Sequence, residues 1–126
     1  MALMRTFPHV VLLGLAFALA GCSKSSTSTT PTNSNIVTIT SSGVSPKSIQ
    51  ISAGSRVLFV NNDNRSHDMT SDPHPEHTQC PELNQVGFLS AGQSRESGNL
   101  VTVRTCGFHD HGSPETVSLQ GSVVIR

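Results

Sequence analysis

The chain has 126 residues, enough for one domain, with 35% apolar and 13% charged residues and a formal net charge of zero. This balance argues against a highly charged disordered chain and against an electrostatic grip on nucleic acid. There is no Trp or Tyr, so stacking platforms for bases are nearly absent. Ser, Thr, Val and Gly are plentiful and helix formers sparse, which points to an all-β domain.

The first segment, "MALMRTFPHVVLLGLAFALAGC", has Arg5 in a short leading region and an apolar run from Val10 to Ala20. That run is too short and wrongly flanked to cross a membrane and reads as a secretory signal, residues 1–21. "LAGC", Leu19 to Cys22, resembles the bacterial lipobox. The resemblance implies cleavage before Cys22 and lipidation of its thiol. Several acyl chains on one residue hold a protein firmly to a membrane, whereas one does not. Residues 22–35, ending in "SKSSTSTTPTNSN", carry almost no apolar side chains and read as a flexible tether. Residues 36–126 are then the folded domain.

Within that domain, "NIVTITSS" alternates Val37 and Ile39 against Ile36, Thr38 and Thr40, as a half-buried strand does. "SIQIS" places Ile49 and Ile51 on one face, "AGS" turns the chain, and "RVLFVN" reads as a strand buried on both faces. "NDNRSHDMTSDPHPEHTQCPELN" reads as a long loop, and loops of this length in compact domains usually carry function. "QVGFLS" is a short strand and "AGQS" a turn. "NLVTVRTC" is expected to be a strand ending at Cys106, and "GSVVIR" the closing strand. Short strands with Gly, Ser and Asn turns suggest an antiparallel sandwich or barrel.

Five histidines follow the signal: His67, His74, His77, His109 and His111. Met69 is the remaining methionine, and Cys80 and Cys106 the cysteines besides Cys22. All fall in the long loop or around the end of the penultimate strand. Here "VSPKSIQISAGSRVLFVNNDNRSH" resembles the first half of a cupredoxin, of the plastocyanin and azurin type. The matching residues are Pro46, Ile49, Ile51, Gly54, Val57, Phe59, Asn61 and His67. "AGQSRESGNLVTVRTCGFH" resembles the second half, where a strand ends in a ligand cysteine with a histidine soon after. The resemblance implies a cupredoxin-like Greek-key β-sandwich holding one copper ion. Its ligands would be His67, Cys106 and one or both of His109 and His111. A trigonal His2Cys set suits both copper oxidation states, so the implied role is one-electron transfer with an unknown redox partner protein.

Three departures from the pattern matter. The axial methionine is missing, which leaves Gln120 or Met69 as axial candidates. The segment from Cys106 to Gly121 is long. Cys80 is extra, and in an exported protein two remaining cysteines are the count for one disulfide. Two fates of Cys106 therefore stand open. Either its thiolate binds copper, or it pairs with Cys80, closing a loop of about 25 residues for roughly 3 kcal/mol. In the second case the chain is a copper-binding or delivery protein using His67, His109, His111 and Met69.

His74 and His77 read as solvated loop residues, with one of them a candidate to supplement the main site; their spacing with Cys80 is irregular for structural zinc. "GFHDH" also resembles a piece of copper–zinc superoxide dismutase. On a strand, His109 and His111 would share a face and could chelate one ion, but no histidine follows them. Nothing supplies the second copper centre or substrate pocket of a copper oxidase, so the expectation is a non-enzymatic, extracytoplasmic, lipid-anchored copper protein.

Overall fold

The computed structural model describes residues 35–126. The expected signal, the lipidated Cys22 and almost all of the tether lie outside the described residues. Nine short strands build two sheets: β1 (Ile36–Thr40), β2 (Gly43–Ser45), β3 (Ser48–Ile51), β4 (Leu58–Asn61), β5 (His67–Ser71), β6 (Gly87–Leu89), β7 (Ser94–Glu96), β8 (Thr105–Asp110) and β9 (Gly121–Ile125). One sheet runs β2-β1-β4-β7 and the other β3-β9-β8-β5-β6. Most neighbours are antiparallel, but β1–β4 and β3–β9 pair in parallel. Two 3₁₀ turns, Pro81–Gln85 and Val117–Leu119, are the helical elements among the described residues. No helix there is long and apolar enough to cross a membrane.

Alternating apolar side chains bring the two sheets together. Val37 and Ile39 of β1, Ile49 and Ile51 of β3, and Val123 and Ile125 of β9 are all buried. Phe59 of β4 meets Phe108 of β8 across the interface, edge to face, with ring centroids 5.1 Å apart. Their contact fixes which face of β8 looks inward. β4 is buried on one face and half-buried on the other, rather than buried on both as its sequence suggests.

β2 and β7 form where the sequence reading places no strand, and two longer segments differ from it as well. The long loop contains β5, which pairs with both β6 and β8. "HDMTS" alternates apolar and polar residues only weakly, because its inward positions include His67 and Ser71. The expected strand through Leu100 to Cys106 begins only at Thr105 and runs on to Asp110. Before it, Leu100 is buried and forms a single bridge with Ser55, while Val101 and Val103 are exposed. The valines promoted a strand where none forms, since no neighbouring strand is there to pair with them.

Candidate metal centre

β8 decides the site. A strand sends successive side chains to opposite faces. With Phe108 pointing inward, Cys106 and Asp110 point inward too, and Gly107 and His109 point outward. On the neighbouring β5, His67, Met69 and Ser71 are buried inward and Asp68 and Thr70 face outward. Cys106 and His109 therefore lie on opposite sides of the sheet. Bringing them to one ion requires the chain to leave the sheet at Cys106, and it stays in the sheet for four more residues.

The inward residues are engaged with one another. Cys106 is disulfide-bonded to Cys80, with Cα atoms 5.8 Å apart. The bond closes one of the two alternatives left by the sequence, and the sulfur of Cys106 is not a thiolate. His67 is 4% exposed. Its Nδ1 donates to Asp110 Oδ2 at 2.7 Å and its Nε2 faces Asp63 Oδ2 at 3.1 Å. Both ring nitrogens are thus occupied by carboxylates. The hydrogen bond from His67, joined by the Asn64 backbone N–H and the Arg65 charge, holds the Asp63 carboxyl below its ordinary range against the opposing effect of burial. Met69 is 1% exposed and belongs to the apolar core. The expected set of His67 and Cys106 with one or both of His109 and His111 is not brought together.

The outward face carries a different set. Residues 72–79 fold back over β8. Asp72 N donates to Gly107 O at 3.0 Å, Gln79 N donates to Asp72 O at 2.8 Å, and Gly107 N donates to Gln79 Oε1 at 2.6 Å. Glycine at 107 leaves room for this fit, because a Cβ there would push the Asp72 carboxylate aside. Cys80 then pins the end of the segment to β8 through its disulfide. The fold-back lays His74 and His77 beside His109 and His111. One ring nitrogen from each of the four lies within 4.8 Å of all the others. Nitrogens about 2 Å from one ion lie at most about 4 Å apart, so small adjustments suffice to bring all four to a single metal.

Hydrogen bonds aim two of these rings. His109 Nδ1 donates to Asp72 Oδ1 at 2.6 Å. His77 Nδ1 donates to Ser71 O at 2.8 Å, with Thr70 Oγ1 3.0 Å away. In each case the proton sits on Nδ1, so the lone pair is on Nε2, where a metal would replace the weak contact of His109 with Thr70 Oγ1 at 3.5 Å and that of His77 with His111. His77 Nε2 lies 2.9 Å from His111 Nδ1, and His74 packs its ring 5.1 to 5.5 Å from the other three. Gln120, an expected axial candidate, lines a cavity of about 360 Å³ beside His74 and His109, and its Nε2 donates to Pro114 O at 2.8 Å.

Reading the sequence identified His109 and His111 but gave His74 and His77 at most a supplementary place. The alternation in "CGFHDH" carried the missing signal: Cys106, Phe108 and Asp110 on one face, Gly107, His109 and His111 on the other. It was visible in the dismutase-like reading of "GFHDH", but a strand ending at Cys106 obscured it.

No protein-family model and no curated protein sequence matches the chain. Solved structures do. A purple cupredoxin from Nitrosopumilus maritimus aligns with a TM-score of 0.59 at 18% identity, over 72% of this chain and 98% of its own. The oxidized plastocyanin of Dryopteris crassirhizoma aligns with a TM-score of 0.56 at 20% identity, over 72% and 99%. A copper-containing nitrite reductase from Thermus scotoductus aligns with a TM-score of 0.58 at 19% identity, where the match spans 22% of the larger chain. With the two packed sheets and their strand order, these alignments establish that the chain has the cupredoxin fold.

Proposed function

We propose that the chain is an extracytoplasmic copper-binding protein that holds one ion between His74, His77, His109 and His111. The observation that carries this reading is the convergence of four ring nitrogens within 4.8 Å, two of them aimed by Asp72 and Ser71. Four neutral imidazoles form a borderline donor set, and copper(II) binds such a set most tightly among the common divalent metals. A copper ion held there would supply a Lewis-acidic, one-electron redox centre. The chain's own part is to preset two tautomers, hold the ligand loop against β8 and keep His109 out of bulk water.

The Cys80–Cys106 disulfide supports an oxidising compartment, in line with export and a membrane anchor at Cys22. Copper binding and delivery without thiolate ligation is the role that this donor set favours. One-electron transfer with a partner protein is the second reading. It is favoured by the structural neighbours, among them a mutant fern plastocyanin in oxidized and reduced states and a Cu(I) amicyanin mutant.

The experiment is a titration of the purified domain with Cu(II), followed by visible absorption and pulsed electron paramagnetic resonance. One equivalent bound, a weak visible spectrum, several imidazole nitrogens and no free thiol are expected. An intense thiolate-to-copper band, or no binding, would overturn the proposal.

A further inference from the structure

The four histidines are not equivalent. His109 is 3% exposed, and its ring is fixed by the Asp72 carboxylate at 2.6 Å. His77 is half-buried and fixed by Ser71 O and Thr70 Oγ1, while its backbone carbonyl accepts from Asn84 Nδ2 at 2.9 Å. His74 and His111 are exposed. Among the described residues the hydrogen bonds and ring contacts of these two side chains are to other histidines: His111 Nδ1 lies against His77 Nε2, and His74 makes ring contacts alone. Beside His74 lies the 360 Å³ cavity, open to solvent and lined also by His109, Glu115 and Gln120. One pair of ligands is thus preorganised and sheltered. The side chains of the other are exposed and, among the described residues, held by no hydrogen-bond partner outside the cluster, and His74 borders an opening towards solvent.

We propose that the site works as two tiers: His77 and His109 retain copper, while His74 and His111 are the exchangeable ligands through which it is taken up and passed on. The proposal rests on the four-imidazole reading and adds a direction to it. An incoming imidazole, thioether or carboxylate from an acceptor protein enters by the cavity. His74 gives up its place as the new donor bond forms, His111 follows, and His77 and His109 let go last, each as a further acceptor donor takes its place. Each step exchanges one donor bond for another with no change in oxidation state. The released imidazole keeps its lone pair and turns into water. Ligands whose orientation is already fixed lose little freedom on binding, so they hold most firmly.

The test uses the domain loaded with one equivalent of Cu(II) and mixed rapidly with a chromophoric chelator over a range of concentrations. In the wild type the transfer rate should rise with chelator concentration, as assisted exchange requires. His74→Ala and His111→Ala should still bind one copper but release it about tenfold faster or more, whereas His77→Ala and His109→Ala should lose binding by a clearly larger factor. Thermal unfolding of each metal-free variant checks that folding is intact. Asp72→Ala, which leaves all four rings in place and frees only His109, should move towards the weak class. A rate independent of chelator concentration, or four alanine variants with equal effects, would overturn the two tiers while leaving the copper site standing. A wild type that takes up no copper would overturn both.

Discussion

The two sides of the β5–β8 pair both gather histidines and carboxylates and have opposite characters. Inward, His67 lies between Asp63 and Asp110, and Cys106 is bonded to Cys80, so every donor atom is spoken for. Outward, four imidazoles converge on one point with only two of them anchored. His109 and Asp110 are adjacent in sequence and belong to different worlds. The difference teaches that a strand sorts neighbouring residues by parity, and that a histidine's role follows from which face it occupies.

The most damaging way to test this distinction is His67→Ala. It leaves two buried carboxylates without their shared partner, and removing one side of a buried pair costs about 3–5 kcal/mol. Urea unfolding should show the loss. The copper-loaded variant, if folded, should keep the same number of coordinating nitrogens by pulsed electron paramagnetic resonance. A missing nitrogen would put His67 in the metal site and erase the division between the faces.

Replacing both cysteines, Cys80→Ser with Cys106→Ser, removes the tie between the ligand loop and β8. Stability should fall by about 2–5 kcal/mol, read as a lower midpoint in thermal unfolding, and copper affinity should fall with it. The visible spectrum should keep its weak character, because no thiolate is lost from the metal. A thiol titration of the wild type should find no reactive group in the folded domain.

A smaller effect belongs to the outer face alone. Asp72→Ala should weaken copper binding by about 10–100-fold, the usual consequence of losing a histidine's hydrogen-bond partner, with little change in unfolding. Gly107→Ala should act in the same direction, since its methyl group displaces the Asp72 side chain. If both variants bind copper as tightly as the wild type, the carboxylate has no part in aiming His109.

The smallest effect is on the inner face and depends on pH. Asp63 titrates below its ordinary value of 3.8 in the folded chain, chiefly through the bond from His67. Its contribution to stability is therefore complete above that ordinary value and is lost as pH falls through the lower folded value. Asp63→Asn should flatten this part of the acid-unfolding curve while leaving copper binding at neutral pH unchanged. An unaltered acid limb would separate Asp63 from the His67 network.

Much of the architecture is legible from alternation. Val37 with Ile39, Ile49 with Ile51, and the closing "GSVVIR" each show a period of two because one face of each strand packs on the other sheet. β5 is hard to read because its buried positions hold His67 and Ser71, polar residues satisfied by distant partners. Ser71 Oγ accepts from Cys80 N, nine residues away. β8 is misread because Val101 and Val103 have strand propensity without a strand to pair with. Propensity describes a residue, whereas pairing needs a neighbour.

The amino-acid sequence by itself determined an all-β sandwich, the resemblance to cupredoxins and the gathering of histidines and cysteines in two segments, and it posed, without deciding, the choice between thiolate and disulfide for Cys106. Only the tertiary structure decided that choice. It did so through the register of β8, which runs on to Asp110, and through the fold-back of residues 72–79, which lays His74 and His77 over His109 and His111. Both depend on contacts between residues far apart along the chain: Asp72 with Gly107, Gln79 with Gly107, and Cys80 with Cys106. Local pattern names the residues that can bind a metal. Long-range packing chooses which of their nitrogens face one another.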